Sequence, residues 1–127
     1  SEGTKLPSGE KISELIDKLK NPKLLGVILS CVSPENYELN LNEIKSLGVP
    51  FGFKLNGYLK TAPLSKINET NNKNDFLQPN NFLGKRKDLS PEKMLELVKG
   101  FKDSGATILG GCCETTPAHI KSFASLK

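Results

Sequence analysis

Apolar residues recur along this chain in two rhythms, one helical and one extended. Ile12, Leu15, Ile16 and Leu19 stand at helical spacing behind the loop Leu6-Pro7-Ser8-Gly9-Glu10. They predict a helix to about Lys20. Asn21-Pro22 ends it, since proline disfavours helical geometry in the residue before it. Leu24 to Ser30 is a near-continuous apolar run, which predicts a strand buried on both faces, as in a parallel sheet. Ser33-Pro34-Glu35 then supplies a hydroxyl cap, a first-turn proline and an acid at the positive end of the helix dipole. Tyr37, Leu41 and Ile44 line one face of that helix, and Gly48 closes it.

Val49 to Leu55 predicts the next strand, ending at Asn56-Gly57. Tyr58 to Leu89 follows no period, and six asparagines fall between Asn68 and Asn81. A segment of that length and polarity predicts a mobile loop, placed to act as a lid. Ser90-Pro91-Glu92 repeats the helix-start chemistry, with Met94, Val98 and Phe101 as the buried stripe. Ala106 to Leu109 predicts a short strand, followed by Gly110-Gly111-Cys112-Cys113. Thr116-Pro117 starts a last helix with Ile120, Phe123 and Leu126 facing inward.

The order is a helix followed by three βα units, an α/β pattern that calls for parallel strands and right-handed crossovers. Two architectures fit: an open doubly wound sheet, or part of a (β/α)8 barrel. No Gly-x-Gly-x-x-Gly or Walker motif follows a strand, which weakens a nucleotide-binding open sheet. A whole barrel needs about 250 residues. The 127 residues form one domain, and as a barrel they would be its last part, without the first strands.

Charge narrows the function classes. The formal net charge is +4, and Lys85-Arg86-Lys87 is the one tight basic run, which reads as a solvated loop; no nucleic-acid partner is expected. No stretch approaches the roughly 20 apolar residues of a membrane span. The opening Ser1-Glu2-Gly3-Thr4-Lys5 lacks an apolar signal region and an initiator methionine. The expectation is a piece of a longer cytoplasmic chain.

Three cysteines, two of them adjacent, suit a reducing compartment better than a disulfide framework. Cys31 follows the first predicted strand, and Cys112 and Cys113 follow the third. That end of a parallel sheet is where ligands bind. One cysteine alone would be a small buried hydrophobe. Three at one edge fit a catalytic zinc site, with three protein ligands and one open position. A vicinal Cys112–Cys113 disulfide is a rival reading. Gly110-Gly111 before the helix start at Thr116 also fits a phosphate site. The sole histidine, His119, is placed in the first turn of the last helix, as a hydrogen-bonding residue rather than a ligand.

The run Gly110-Gly111-Cys112-Cys113-Glu114-Thr115-Thr116-Pro117-Ala118-His119-Ile120 resembles the C-terminal signature of the zinc-dependent homocysteine S-methyltransferases. Cys31 with Ser33-Pro34-Glu35 resembles that family's upstream zinc-cysteine strand end, and Asn56-Gly57 its Asn and Gly after the next strand. The likeness runs from about Leu6 to Leu126. It implies the C-terminal portion of a (β/α)8 (TIM) barrel, with Zn²⁺ held by Cys31, Cys112 and Cys113 and substrate contacts at Asn56 and Gly57. Homocysteine would take the open position as a thiolate, receive a methyl group from a small donor and become methionine. The alternatives are a non-catalytic zinc-thiolate fragment that needs a partner chain for the missing strands, and, more distantly, a phosphate-binding barrel fragment. Ser30 stands where the family often has Asn, and Glu114 where it often has Gly or Arg. Barrel-interior side chains such as some of Val27, Leu29, Phe51 and Phe53 would lose their cover in the isolated chain. The chain alone is therefore expected to associate and to be inactive.

Overall fold

The computed structural model describes residues 4–6, 8–15, 18–19, 23–59 and 83–127. Its centre is a parallel three-stranded sheet, β1 (Val27–Val32), β2 (Phe51–Leu55) and β3 (Ile108–Gly111), in the order β1-β2-β3. Helices α1 (Pro34–Leu39) and α2 (Leu41–Lys45) connect β1 to β2. Helix α3 (Pro91–Asp103) precedes β3, and α4 (Pro117–Ala124) follows it. The expected loop or lid at Asn68–Asn81 lies outside the described residues.

The helix starts follow their local chemistry. Ser33 Oγ accepts from Asn36 N–H at 3.2 Å, and Ser90 Oγ accepts from Lys93 N–H at 3.2 Å, each ahead of a first-turn proline. Helix α3 ends in a Schellman turn: Ala106 N–H donates to Phe101 O and Gly105 N–H to Lys102 O. Gly105 takes φ +109°, a conformation in which a Cβ is strained.

One face of the sheet packs on the helices. Tyr37, Phe53 and Phe101 meet edge to face, with ring centroids 4.8, 4.8 and 5.6 Å apart. Ile44, Leu55, Met94 and Val98 complete a fully buried core around them. Phe51 and Phe53, expected to face an uncovered barrel interior, point into this core instead. Val27 and Leu29 also pack against it, half-buried.

Several boundaries differ from the sequence reading. Strand β1 begins at Val27, not Leu24, because its ladder starts with Val27 N–H donating to Pro50 O at 2.9 Å. Its burial alternates: Ile28, Ser30 and Cys31 are exposed, since no described element covers that face. Strand β2 likewise begins at Phe51, after Pro50, which has no N–H for a ladder. Strand β3 starts two residues late and takes in Gly110 and Gly111, which pair with Lys54 and Leu55 rather than turning.

The single helix expected after Ser33 is two. Asn40 is buried, and its Nδ2 donates to Asn36 O at 2.7 Å, competing for the carbonyl the helical ladder would use. Over its described residues the first expected helix is a 3₁₀ turn, Ile12–Leu15, with Leu19 N–H donating to Leu15 O. Ile12 is the buried residue of that turn, and Ser13 N–H is capped from outside by Glu43 Oε2 at 3.0 Å. In α4, Phe123 is buried and Leu126 is half-buried past the helix end, whereas Ile120 is 46 % exposed. His119 takes the inward position.

Candidate metal and substrate site

The C-terminal ends of β1, β2 and β3 converge. Cys31 is not beyond β1 but inside it, at an irregularity between Ser30 and Val32. There it adopts φ +52°, a left-handed conformation that costs a non-glycine residue about 1 kcal/mol or more. Such bulges re-aim a side chain. This one leaves Cys31 Sγ 3.9 Å from Cys113 Sγ.

Cys112 and Cys113 follow β3 directly. Cys112 N–H donates to Leu55 O at 2.7 Å, which extends the β2–β3 ladder by one bond. Gly57 N–H donates to Cys113 O at 2.9 Å. Thr115 folds back so that its hydroxyl and its N–H both donate to Cys112 O. Gly111 makes this turn possible, because a Cβ there would collide with Thr115 Oγ1. Gly57 is similarly tight: a Cβ would lie 3.2 Å from Glu114 Cβ. Glu114 itself adopts φ +61° and pairs with Lys85 at 3.5 Å.

Asn56 joins the strand ends from the centre. It is fully buried, and its Nδ2 donates to Cys31 O at 2.7 Å and lies 3.7 Å from Cys31 Sγ. Its Oδ1 accepts from Tyr58 N–H at 3.2 Å. Arg86 ties the far side. Its guanidinium reaches Glu35 at the start of α1 and Asp88, both at 2.6 Å.

All three sulfurs lie within 4.8 Å of one another, and the Cys112–Cys113 pair is 3.8 Å apart. All three are free thiols, so the vicinal disulfide is not formed. A tetrahedral ion with metal–sulfur bonds of about 2.3 Å would set sulfur–sulfur distances near 3.8 Å. The donor set therefore fits Zn²⁺ in spacing and in softness. Charge points the same way. Desolvation, followed by the two neighbouring sulfurs, pushes the Cys31 thiol up to about 11. A hydrogen bond from Tyr58, opposed by burial and reinforced by Cys112 and Cys31, lowers Cys113. Three thiolates this close repel one another unless a cation shares their charge.

His119 lies outside the sulfur cluster. Its Nδ1 accepts from Thr116 N–H at 3.1 Å, so its Nε2 carries the proton and donates to Leu89 O at 3.0 Å. It pins the start of α4 to the residue before the α3 cap. This also occupies an N–H that an anion would need, and removes support from a phosphate site there. The residue that pattern reasoning missed is Tyr58. It heads an aperiodic segment, and only its place two residues after Asn56 could have drawn notice.

No helix among the described residues is long and apolar enough to cross a membrane. A 38-residue stretch is 45% identical to methionine synthase of Mycobacterium tuberculosis, covering 29% of this chain and 3% of that protein. The chain thus matches only a small part of that much longer relative. The family profile described as homocysteine S-methyltransferase matches residues 1–126. With that match over nearly its whole length, the chain belongs to the homocysteine S-methyltransferase family.

Proposed function

We infer that this chain supplies the metal-binding C-terminal part of an enzyme that transfers a methyl group to the sulfur of homocysteine, yielding methionine. The observation that supports it is the meeting of Cys31, Cys112 and Cys113 within 4.8 Å at the C-terminal edge of a parallel sheet. Membership of the family gives the reaction class. The three cysteines would hold Zn²⁺, leaving a fourth position open. Bound there, zinc supplies the positive charge that converts a thiol of ordinary pKa near 8.5 to its thiolate at neutral pH.

The chain's own residues prepare the site. Asn56 fixes the Cys31 carbonyl, and Thr115 fixes that of Cys112. With Gly57 N–H on the Cys113 carbonyl, each cysteine is thereby set at a strand end before substrate arrives, as a catalytic constellation requires. Gly57 keeps the Cys113–Glu114 turn close. Asn56 and Gly57 border the sulfurs, and in this reading they would contact the substrate. The attacking sulfur forms its bond to the methyl carbon as the donor leaves with the bonding pair.

The sheet's consecutive parallel order suits three adjacent strands of a (β/α)8 barrel, and 1–127 would be the last portion of one such domain. Activity would then need the preceding strands, from the same chain or a partner. Methionine formation from homocysteine with a panel of methyl donors tests the reading. The full-length protein is expected to form methionine with one donor, and each of Cys31→Ala, Cys112→Ala and Cys113→Ala to abolish it. Full activity in all three variants would refute it.

A further inference from the structure

The basic run Lys85-Arg86-Lys87, expected as a solvated loop, is bonded to both sides of the sulfur cluster. Tyr58 and Lys85 form an antiparallel bridge, and Arg86 N–H donates to Gly57 O at 2.8 Å. Gly57 N–H in turn donates to Cys113 O at 2.9 Å. The Arg86 side chain reaches the Cys31 side. Its Nη1 donates to Glu35 Oε1 at 2.6 Å, in the first turn of the helix that follows β1. Nε and Nη2 grip the Asp88 carboxylate at 3.1 and 2.6 Å, which fixes the guanidinium plane. Exposed surface ion pairs are worth little, but this side chain is only 17 % exposed and holds two carboxylates at once.

We propose that Arg86 is a positioning residue for the metal site, a brace that sets the approach of Cys31 to Cys113. The inference rests on the three-thiolate metal reading above. The two cysteines come from opposite edges of the sheet, β1 and the end of β3, and the β1–β2 register breaks at Cys31. Arg86 supplies a connection that bypasses the break. It runs from Cys113 O through Gly57 to the Arg86 backbone, and from the guanidinium through Glu35 to the start of α1. Pro34 is fully buried and Val32 O accepts from Asn56 N–H at 2.9 Å, so that start is held firmly to the end of β1. Cys31, at φ +52°, keeps its left-handed backbone only where its surroundings over-determine it. The brace is one of those surroundings. A planar, forked guanidinium suits it, because it meets two carboxylates in fixed directions where an ammonium is a single point of charge. Arg86 acts through Gly57 and Glu35 rather than on the sulfurs.

The test measures the zinc affinity of the full-length protein by competition with a chromophoric chelator. Arg86→Gln is expected to lower it about tenfold, the order seen for supporting contacts around a metal. Glu35→Gln is expected to lower it too, and to add little on top of Arg86→Gln, because both break the same link. Arg86→Lys, which keeps a charge opposite Glu35, is expected to recover part of the loss. Val98→Ala trims the buried core on α3, and is expected to lower the unfolding midpoint while leaving affinity unchanged. In the cobalt-substituted protein, Arg86→Gln is expected to weaken the tetrahedral d–d absorption, which lost stability alone does not do. Should Arg86→Gln fail to fold, Glu35→Gln carries the test by itself. Unchanged affinity in either glutamine variant, fully additive losses, unchanged cobalt absorption, or an equal affinity loss in Val98→Ala overturns the brace alone. Failure of the unmodified protein to bind zinc overturns the metal reading beneath it.

Discussion

Replacing Asn56 by alanine separates a structural joint from a spectator. The side chain is fully buried and makes two backbone contacts, donating to Cys31 O at 2.7 Å and accepting from Tyr58 N–H at 3.2 Å. Alanine removes the side-chain partner of both backbone groups, one part-buried and one buried. Each such group costs about 1–3 kcal/mol, and the two are neighbours, so a loss of about 2–4 kcal/mol is expected. Against a total stability of about 5–15 kcal/mol that is a large fraction. Cys31 also sits in a left-handed conformation that its surroundings must enforce. Freed from Asn56, it is expected to relax and withdraw its sulfur, weakening metal affinity about 10- to 100-fold, as for other supporting contacts. Guanidinium unfolding of the metal-free full-length protein gives the first quantity, and competition with a chromophoric chelator gives the second. Asn56→Asp should be no rescue, since it removes the Nδ2 donor and adds a negative charge beside the sulfurs. An Asn56→Ala variant with an unchanged midpoint and unchanged affinity would refute the reasoning.

Other perturbations probe separate contacts. Gly111→Ala drives a Cβ into Thr115 and is expected to cost about 1–3 kcal/mol, read as a lower unfolding midpoint. The Tyr37 hydroxyl is fully buried with no hydrogen-bond partner among the described residues, so Tyr37→Phe should be neutral or stabilising in the same assay. Arg86 holds the Asp88 carboxyl below its ordinary range. That contribution is complete above the unfolded carboxylate value of about 3.9 and is lost as pH falls through the lower folded value. The stability gap between the wild-type protein and Arg86→Ala should accordingly shrink toward acid pH. The isolated 127-residue chain leaves the outer edges of β1 and β3 unpaired among the described residues, and it should sediment as an oligomer or aggregate without methyl transfer.

What could be read from residues alone was what local chemistry decides. Ser33-Pro34 and Ser90-Pro91 mark helix starts because cap and proline act within one turn. The Met94, Val98 and Phe101 stripe is a helical period, and all three are buried. Strand ends are set by partners. Pro50 delays β2 and fixes where β1 can begin, and nothing in the Leu24 to Ser30 run reveals that. The break at Asn40 depends on one side-chain bond back to Asn36. The three cysteines were legible as a group through their position at strand ends. Their final approach was not, because the bulge arises where Ser30 pairs with Lys54 and Val32 with Leu55, which leaves Cys31 unpaired between them. Ile120 misled because helical spacing cannot tell which neighbour a face will find; His119 found Leu89 O instead.

X-ray absorption at the zinc edge tests the central claim most directly. The full-length protein is expected to show about three sulfur neighbours near 2.3 Å, from Cys31, Cys112 and Cys113, and about four once homocysteine is added. Absence of zinc, or a sulfur count that homocysteine leaves unchanged, would contradict the account.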